Sequence, residues 1–476
     1  MTESYVSAFT SRYVSQEMSH LFSAQFKYST WRKLWIALAG AQKKLGLPIT
    51  EAQLKSMRAA VNSIDFAKAA HYETIYKHDV MAHIYAFADA APESRGIIHL
   101  GATSSYVTDN GDLIQMQAAL HLISNKLLLL LRHLSTFARK YAGLATLSYT
   151  HFQSAQPTTV GKRACLWLQD FHTDYAEIFR LYSHLRFLGV KGATGTAASF
   201  LALFDADAAK VKQLETLVSE EMGFSHIFPI AGQTYPRKQD SMILHALASF
   251  AASAHKFATD IRLLCHLKEI EEPFAENQVG SSAMPYKRNP MRCERICGIA
   301  RFLISLNENP LYTQATQWLE RSLDDSSNRR LYLPESFLAT DALLNLLLSV
   351  TKGLIVYPKM IEKHLHAELP FLATESFLMA AVKKGKDRQK VHERLRIHSL
   401  EVGRRIKEEG LENDLLTRIA HDPEIALSQK EIQELLSSVH IIGLSEEQTH
   451  DFLTQEIAPL LAKHTHLQDN TPDILI

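Results

Sequence analysis

Residues 237–272 read RKQDSMILHALASFAASAHKFATDIRLLCHLKEIEE, and this segment determines the fold class that the sequence predicts. It contains neither glycine nor proline, the residues that most often interrupt a helix. Its apolar side chains recur at alternating steps of three and four residues, which aligns them on one face of an α-helix. These side chains are Ile243, Leu247, Phe250, Ala254, Phe257, Ile261 and Leu264. At the usual rise per residue, such a helix would be roughly 50 Å long.

Two earlier segments, residues 112–142 and 162–188, also lack glycine and proline and carry the same apolar pattern. In the first, the stripe comprises Leu113, Met116, Leu120, Ile123, Leu127, Leu130, Leu134, Phe137 and Tyr141. In the second, it comprises Ala164, Leu168, Phe171, Tyr175, Ile178, Tyr182 and Leu185. Helices of this length pack stably only against other long helices, in the same chain or in a partner subunit. Because alternating strand patterns are short and scattered, the sequence predicts an all-α protein with a central long-helix bundle.

The distribution of glycine, proline and charge predicts three domains. Residues 1–103 form an N-terminal helical domain with shorter helices, such as those over residues 31–45 and 79–90. Residues 104–356 form the central long-helix bundle, and residues 357–476 form a C-terminal helical domain after the break at Tyr357–Pro358. A chain of 476 residues is long enough for two or three such domains.

Composition points to a cytoplasmic protein that binds neither nucleic acid nor membranes. Lys+Arg and Asp+Glu both number 51, and a net charge of zero argues against a general affinity for polyanions. The N-terminus lacks the basic start and apolar run of a signal peptide. The most apolar stretch, Leu127 to Leu131, is far too short to span a bilayer.

The four cysteines predict neither a disulfide framework nor a metal site. Four cysteines in a chain of this length are too few to staple it, so they are expected to be reduced and buried. Cys293 and Cys297 lie one helical turn apart, but a zinc site would need a second pair of ligands. The sequence therefore predicts no metal.

The segment GSSAMPYKRNP, residues 280–290, is the most informative part of the chain for function. Gly280 would act as a hinge, and Asn289 and Pro290 read as the N-cap and first residue of a helix that runs toward Asn309. With Lys287 and Arg288 beside it, the start of that helix would be an anion site. A polar loop between two helices would have the same composition, and the residues alone leave both interpretations open.

Resemblance to a known family resolves this ambiguity. The segment resembles the GSSxMPxKxNP loop of the fumarase/aspartase superfamily. Four further segments resemble the adenylosuccinate lyase family, in the form found in animals. They are GIIHLGATSSYVTDN (96–110), THFQSAQPTTVGKR (150–163), GQTYPRK (232–238) and DDSSNRR (324–330). The matching segments extend from Ser11–Arg12–Tyr13 to the region of Glu368 to Phe371.

The resemblance implies an anti β-elimination that releases fumarate from succinylated purine nucleotides. The substrates would be adenylosuccinate, which gives AMP, and succinylaminoimidazole carboxamide ribotide, which gives the free aminoimidazole carboxamide ribotide. The chemistry needs a base, an acid and cations around a dianion, and it requires no cofactor. The family forms a homotetramer whose sites each draw residues from three subunits, so His151 and Ser281 would reach one site from different chains.

The resemblance also assigns catalytic roles. Ser281 would be the base, with Ser282 as the alternative, and Lys287 together with the amides of the loop would stabilise the alkoxide. His151 would be the general acid, and His78 would be the second histidine of the site. An ordinary partly buried histidine is the alternative for His151 when it is taken without its motif.

The resemblance carries over a larger set of substrate contacts to phosphate, ribose and carboxylates. These residues are Arg12, Tyr13, Lys77, Asp79, Thr103, Ser104, Gln233, Asn289, Arg295, Arg321, Ser326 and Arg330. Arginine is the usual partner of such anions, although surface ion pairs are the alternative. The chain departs from the family at Ser154, where proline is usual, and at Lys77, where close relatives often have arginine.

Three rival functions differ in what they explain. Argininosuccinate lyase, fumarase and aspartase share the GSS loop, but the segment Lys77–His78–Asp79 and the wording SAMPYKR favour the purine enzyme. A non-catalytic helical protein of the same fold would be expected to have lost a residue such as His151 or Ser281. A coiled-coil scaffold would explain the apolar stripes but not the loop.

Overall fold

The computed structural model describes residues 5–275, 277–436 and 441–469. The protein is 68% helical, which confirms the all-α prediction. The first helices are α1 Gln16–Leu21, α2 Ala24–Lys44, α3 Glu51–Ala59, α4 Phe66–Tyr76, α5 Asp79–Ala90, α6 Ser104–Lys140 and α7 Val160–Ser183. They are followed by α8 Ala198–Leu203, α9 Ala208–Glu221, α10 Lys238–His266, α11 Met291–Leu306, α12 Glu308–Thr316 and α13 Asp324–Thr351. The last are α14 Pro358–Leu372, α15 Thr374–Lys383, α16 Arg388–Glu409, α17 Leu415–His421, α18 Gln429–Leu435, α19 Ser445–Phe452 and α20 Ala458–Ala462.

The centre of the molecule is a bundle of α6, α7, α10, α11 and α13. The three long helices predicted from the sequence are α6, α7 and α10, and nearly every residue of their apolar stripes is buried. With 29 residues, α10 is about 44 Å long, slightly shorter than predicted because it ends at His266. α6 has 37 residues and extends for about 55 Å, which sets the length of the bundle.

The direction of the helices fixes what lies at each end of the bundle. α13 runs parallel to α6, since Arg329 pairs with Asp112 near the starts of the two helices and Lys126 with Asp341 further along. α7 and α10 are antiparallel, since Trp167 near the start of α7 donates to Asp260 near the end of α10. The chain therefore enters α6, α10 and α13 at one end, and α7 begins at the other.

The sequence does not predict α13 as a long helix, because Pro334 lies inside it. An unbroken run without proline is the sequence signal for a long helix, whereas a bundle tolerates a proline where neighbouring helices support the chain. The segment from Ser336 to Leu348 is buried throughout, so α13 is the most enclosed helix of the bundle.

Two short antiparallel strand pairs interrupt the helical architecture, and the sequence predicts neither. β1 (Ala145–Thr150) pairs with β2 (Gln153–Thr159) directly after α6. β3 (Ile270–Glu271) pairs with β4 (Ile355–Val356), which ties the segment after α10 to the end of α13. Both strand pairs therefore lie at the end of the bundle opposite the first residues of α6.

The C-terminal part has a second hydrophobic core between Ala373 and Ile432, separate from the main one. The main core joins residues of α2 to residues of the bundle. The domain boundaries at residues 103 and 356 stay a prediction. The last residues of the predicted C-terminal domain, 470–476, and residues 437–440 lie outside the described part.

All four cysteines are free thiols. Cys293 and Cys297 are buried, as predicted, whereas Cys165 and Cys265 are only partly buried. Burial raises the pKa of Cys165 and of Cys265 to about 11. Within the described residues, no group of His, Cys, Asp and Glu is arranged to hold a metal ion.

Two helices, α6 and α13, are long and apolar enough to cross a membrane by length and composition. Their most apolar windows are 67% and 83% buried inside the protein, as in the core helices of a bundle.

Candidate active site

A cavity of about 1400 Å³ lies at the end of the bundle where α6 and α13 begin. It gathers nine of the sixteen predicted site residues from four segments of the chain. They are Lys77, His78, Asp79, Thr103, Ser104, Gln233, Arg321, Ser326 and Arg330. The other seven are absent from its lining, and they belong to two groups elsewhere on the bundle.

His78 occupies the cavity as the N-cap of α5. Its Nδ1 accepts the backbone N–H of Met81 at 3.4 Å, and its Nε2 lies 3.4 Å from Oγ of Ser104. Because Ser104 begins α6, the imidazole bridges the starts of two helices. The side chain remains half exposed toward the cavity, where it can contact a ligand.

Cations and carboxylates on both sides of His78 line the same wall. Lys77 has a left-handed backbone, with φ of 52°, and caps the end of α4. Asp79 forms an ion pair with Arg330 of α13, and Nη2 of the arginine lies 2.9 Å from Oδ2 of the aspartate. This pair connects the N-terminal helices to the bundle across the cavity.

Gln233 and Arg321 form a second polar wall. Nη1 of Arg321 donates to Oγ of Ser105 at 2.7 Å and to Oε1 of Gln233 at 2.5 Å. The amide of Gln233 donates in turn to the carbonyl of Ala193 at 2.9 Å. Nε of Arg321 is buried without a partner among the described residues, so this guanidinium retains an unused donor.

A buried ionic network forms the floor of the cavity, and sequence reasoning missed it. Arg237 binds Asp109 through two nitrogens, at 2.9 and 3.1 Å, and donates to Asp325 at 2.7 Å. Arg329 donates to Asp240 at 2.8 Å. All five side chains are at least nine-tenths buried. Burial raises the pKa of Asp240, but the nearby Arg329 and Arg237 outweigh this and leave it below its usual value.

The signal for this floor is present in the motifs that carry the resemblance. Asp109, Arg237, Asp325 and Arg329 all lie in those segments, and none of them has a predicted substrate contact. In the structure they act as supports, because they hold together the three segments that carry Ser104, Gln233 and Ser326. A charged residue that lies in a family motif but has no predicted substrate contact could therefore have indicated a structural ion pair.

His151 belongs to the second group, on the hairpin at the opposite end of α6. The hairpin places His151 and Phe152 at its tip, with φ of 52° and 58°, as in a type I′ turn. Neither residue is glycine, so the tip holds backbone strain of a kind often found at functional sites. The imidazole is exposed and has no hydrogen-bond partner among the described residues.

The third group begins with the loop 280–290, which is exposed for most of its length. Oγ of Ser281 accepts the backbone N–H groups of Met284 at 3.1 Å and of Ala283 at 3.4 Å. Two amide donors on one hydroxyl oxygen are the arrangement expected to favour an alkoxide. Ser282 makes no such contact within the described residues.

The start of α11 corrects three predictions: the N-cap at Asn289, the first helical residue at Pro290 and the anion site. The helix begins at Met291, and Glu272 caps it by accepting the N–H groups of Arg292 at 3.0 Å and Cys293 at 2.9 Å. The predicted N-cap at Asn289 is wrong, since its amide donates to the carbonyl of Gly280 at 2.7 Å. The predicted anion site at this helix start is also wrong, because the buried Glu272 carboxylate fills it.

Gly280 is a point of close approach rather than the predicted hinge. A Cβ atom at this position would lie 2.1 Å from the carbonyl oxygen of Lys287. The backbone of Gly280 therefore lies close to that of Lys287, and the Asn289 amide binds the Gly280 carbonyl. These two features fix the turn that contains Ser281.

Arg295 lies in the second turn of α11, and the segment with Arg12 and Tyr13 packs beside α11 and α13. Phe9 packs on Phe302 of α11 with ring centroids 5.6 Å apart, and Asn345 of α13 binds the carbonyl of Tyr13 at 2.9 Å. One turn further along α13, the carbonyl of Ser349 accepts from Arg292 at 3.5 Å. Neither Arg12 nor Arg295 forms an ion pair with any described residue, and Nη1 of Arg295 is buried without a partner.

Comparisons with known proteins assign the chain to a family. The family described as "Lyase" matches residues 13–304, and the one described as "Adenylosuccinate lyase C-terminus" matches residues 370–452. The adenylosuccinate lyase of Schizosaccharomyces pombe is 51% identical over 462 residues, which cover 96% of each chain. The adenylosuccinate lyase of Schistosoma mansoni is 46% identical over 461 residues, again 96% of each chain.

The chain belongs to the adenylosuccinate lyase family. It is therefore a lyase, as the motifs predicted, and the resemblance to the animal form extends to fungal members of the family. The C-terminal match also covers residues beyond 400, a region for which the motifs give little indication.

Solved structures of other lyases share the fold of this adenylosuccinate lyase family member. Fumarate lyase from Mesorhizobium sp. BNC1 superimposes with a TM-score of 0.79 and 23% identity, and covers 95% of this chain and 100% of its own. The 3-carboxy-cis,cis-muconate lactonizing enzyme from Pseudomonas putida superimposes with a TM-score of 0.80 and 23% identity. The match covers 97% of this chain and 99% of that enzyme. Since these proteins carry out different reactions, the likeness shows the fold and not the substrate.

Proposed function

We propose that the protein is an adenylosuccinate lyase that eliminates fumarate from adenylosuccinate and from succinylaminoimidazole carboxamide ribotide. The observation that carries this proposal is the 46 to 51% identity to adenylosuccinate lyases along 96% of the chain. The cavity at the start of α6 supports it, because Lys77, Arg321 and Arg330 provide cations for an anionic substrate.

Ser281 would remove the proton from the carbon beside a carboxylate of the succinyl group. The electron pair left on that carbon passes into the carboxylate, and cations stabilise the charge that develops there. The two amide N–H groups that contact Oγ of Ser281 favour its ionised form, and Lys287 of the same loop would add a positive charge. Ser282 lacks these contacts, so Ser281 is the better candidate for the base.

His151 would then protonate the departing nitrogen. As the carbon–nitrogen bond breaks, the electron pair on the carbanion forms the double bond of fumarate, and the nucleotide leaves with the proton from the imidazole. His78 would contact the substrate, with its ring held by Ser104 and by the backbone of α5. No redox step or metal is needed in this sequence.

The remaining residues would bind the substrate. Thr103 and Ser104 would hold a carboxylate, and Gln233, Arg321, Ser326 and Arg330 would contact the ribose and phosphate. Arg12, Tyr13 and Arg295 would complete the phosphate site, which fits their lack of carboxylate partners within the described chain. Asn289 would act on the loop itself, through Gly280.

A homotetramer would bring the three groups of residues together. In one chain, His78 lies at the start of α6 and His151 follows its end, so about 55 Å of helix separates them. Both can reach one substrate only if they come from different chains. We also propose a cytoplasmic location, since adenylosuccinate lyases are soluble metabolic enzymes.

The direct test is an ultraviolet assay of the purified protein with adenylosuccinate, combined with identification of fumarate as the product. We expect loss of the substrate absorbance and one fumarate for each AMP formed. The second substrate should behave in the same way. Absence of turnover on both nucleotides would refute the assignment.

A further inference from the structure

Three buried polar residues clasp the segment that carries Arg12 and Tyr13. The carboxylate of Asp341 is fully buried, and its Oδ2 accepts the backbone N–H of Ser15 at 2.7 Å and the Ser15 hydroxyl at 2.9 Å. The amide of Asn345 donates to the carbonyl of Tyr13 at 2.9 Å. Lys126 of α6 binds both Asp341 and Oδ1 of Asn345.

Apolar packing alone does not hold this segment. None of the five residues of the π-helical turn Phe9–Tyr13 is buried, and only Phe9 and Val14 pack against the main core. The backbone on both sides of Val14 is instead fixed by hydrogen bonds to α13. Burying a carboxylate and a lysine costs free energy of desolvation, and here the donors that the carboxylate accepts offset that cost.

The geometry points to Asp341 and Asn345 as positioning residues for the phosphate of the substrate, acting through Arg12 and Tyr13. This inference rests on the proposed role of Arg12. The two residues lie one turn apart on α13, near the start of α11 that carries Arg295. By fixing the carbonyl of Tyr13 and the amide of Ser15, they set the direction in which Arg12 leaves the surface. Neither residue would touch the substrate.

The test compares Asn345→Ala, Arg12→Ala and the double variant in steady-state kinetics with adenylosuccinate. Removing the amide of Asn345 frees the Tyr13 carbonyl and also removes the Asn345 hydrogen bonds to Lys126 and Asp341, but the ion pair between those two residues remains. We expect KM to rise by about tenfold and kcat to change by less than about twofold, because the Tyr13 carbonyl loses the hydrogen bond that orients it. In the Arg12→Ala background, Asn345→Ala should have almost no further effect, since the group that it positions is gone.

Thr340→Val provides the matched control on the same helix. Thr340 is as buried as Asn345, but its hydroxyl donates only to the carbonyl of Ser336, away from the clasp. It should lower the melting temperature to a comparable extent and leave KM unchanged. If Asn345→Ala fails to fold, Ser15→Ala replaces it, because that change removes one bond to Asp341 and the N-cap bond from Met18 but keeps the backbone bond to Asp341.

Two failures can be told apart. If Arg12→Ala leaves KM unchanged, the phosphate role of Arg12 is wrong and the clasp loses its function as well. If Arg12→Ala raises KM while Asn345→Ala does not, or if their effects multiply in the double variant, only the positioning role is overturned.

Discussion

Ser281 and His151 both lie on exposed segments, so their side chains contribute little to the core. We therefore expect Ser281→Ala and His151→Ala each to lower kcat by about a thousandfold or more, with little change in melting temperature. Single-turnover kinetics and circular dichroism of the two variants would measure this. Near-normal kcat in Ser281→Ala, with a large loss in Ser282→Ala, would transfer the base to the neighbouring serine.

His83 gives a prediction about acid stability at the same scale. Its ring is buried and stacks on Tyr28, with centroids 3.6 Å apart. Burial, helped by the charge of Arg32, lowers its pKa from 6.5 to about 4. Between pH 6.5 and 4, His83 is therefore protonated in the unfolded chain but stays neutral in the folded protein. Stability falls as the pH drops from 6.5 toward 4, by up to about 1.4 kcal/mol for each pH unit.

His83→Phe should remove this part of the acid sensitivity while preserving the stacked ring. We expect the loss of melting temperature between pH 7.5 and 5.5 to be smaller than in the unchanged protein, by the equivalent of about 1 kcal/mol. His99, whose pKa burial also lowers to about 4, keeps some sensitivity in both proteins. The exposed His392 serves as control, and an equal effect of His392→Phe would argue against the burial mechanism.

Among the elements, the loop 280–290 shows how little space a reactive turn can allow. In Gly280→Ala the new Cβ would collide with the carbonyl of Lys287, so the turn that holds Ser281 must open. We expect kcat to fall by about a hundredfold, with a small effect on stability because the loop is exposed. Gly403→Ala in α16 is the matched control, since its Cβ would meet no atom within 4 Å. Full activity in Gly280→Ala would mean that the turn is not needed as built.

The elements that could be predicted are those whose signal is local. The apolar stripes of α6, α7 and α10 repeat within a single helix, so the sequence identifies these helices. The cavity residues come from a second local signal, the short motifs, which name nine residues that line the cavity. The Glu272 cap and the pairing of Arg237 with Asp109 join residues far apart in the chain, and no local pattern encodes them. The β1–β2 hairpin was missed for a related reason: its strands are short, and its tip uses histidine and phenylalanine instead of the usual glycine or asparagine.

At the scale of the whole molecule, the direction of the helices revises the argument for a shared site. The resemblance predicts that His151 and Ser281 reach one site from different chains. In the structure α7 and α10 run in opposite directions, so the chain returns to the hairpin end before it reaches the loop. The firm separation is between His78 and His151, at the two ends of α6.

Complementation between variants at His78 and His151 follows from that separation. His78→Ala and His151→Ala should each be inactive when reassembled alone. After mixing, dissociation and reassembly, random pairing should make about a quarter of the sites whole, and activity should return to that level. The measurement is elimination activity with native mass spectrometry to verify mixed tetramers. Mixed tetramers without activity would contradict the shared site.

The buried thiols can report local opening of the helical bundle. Cys293 and Cys297 lie in the first two turns of α11, immediately after the loop, and burial raises the pKa of Cys293 well above its usual value. Because both sulfurs are buried, an alkylating reagent can reach them only when this part of the bundle opens. The rate at which the label accumulates therefore measures how often this part of the bundle opens, without any change to the sequence. Substrate bound at the loop would slow the labelling, and this protection would measure the fraction of occupied sites without any turnover.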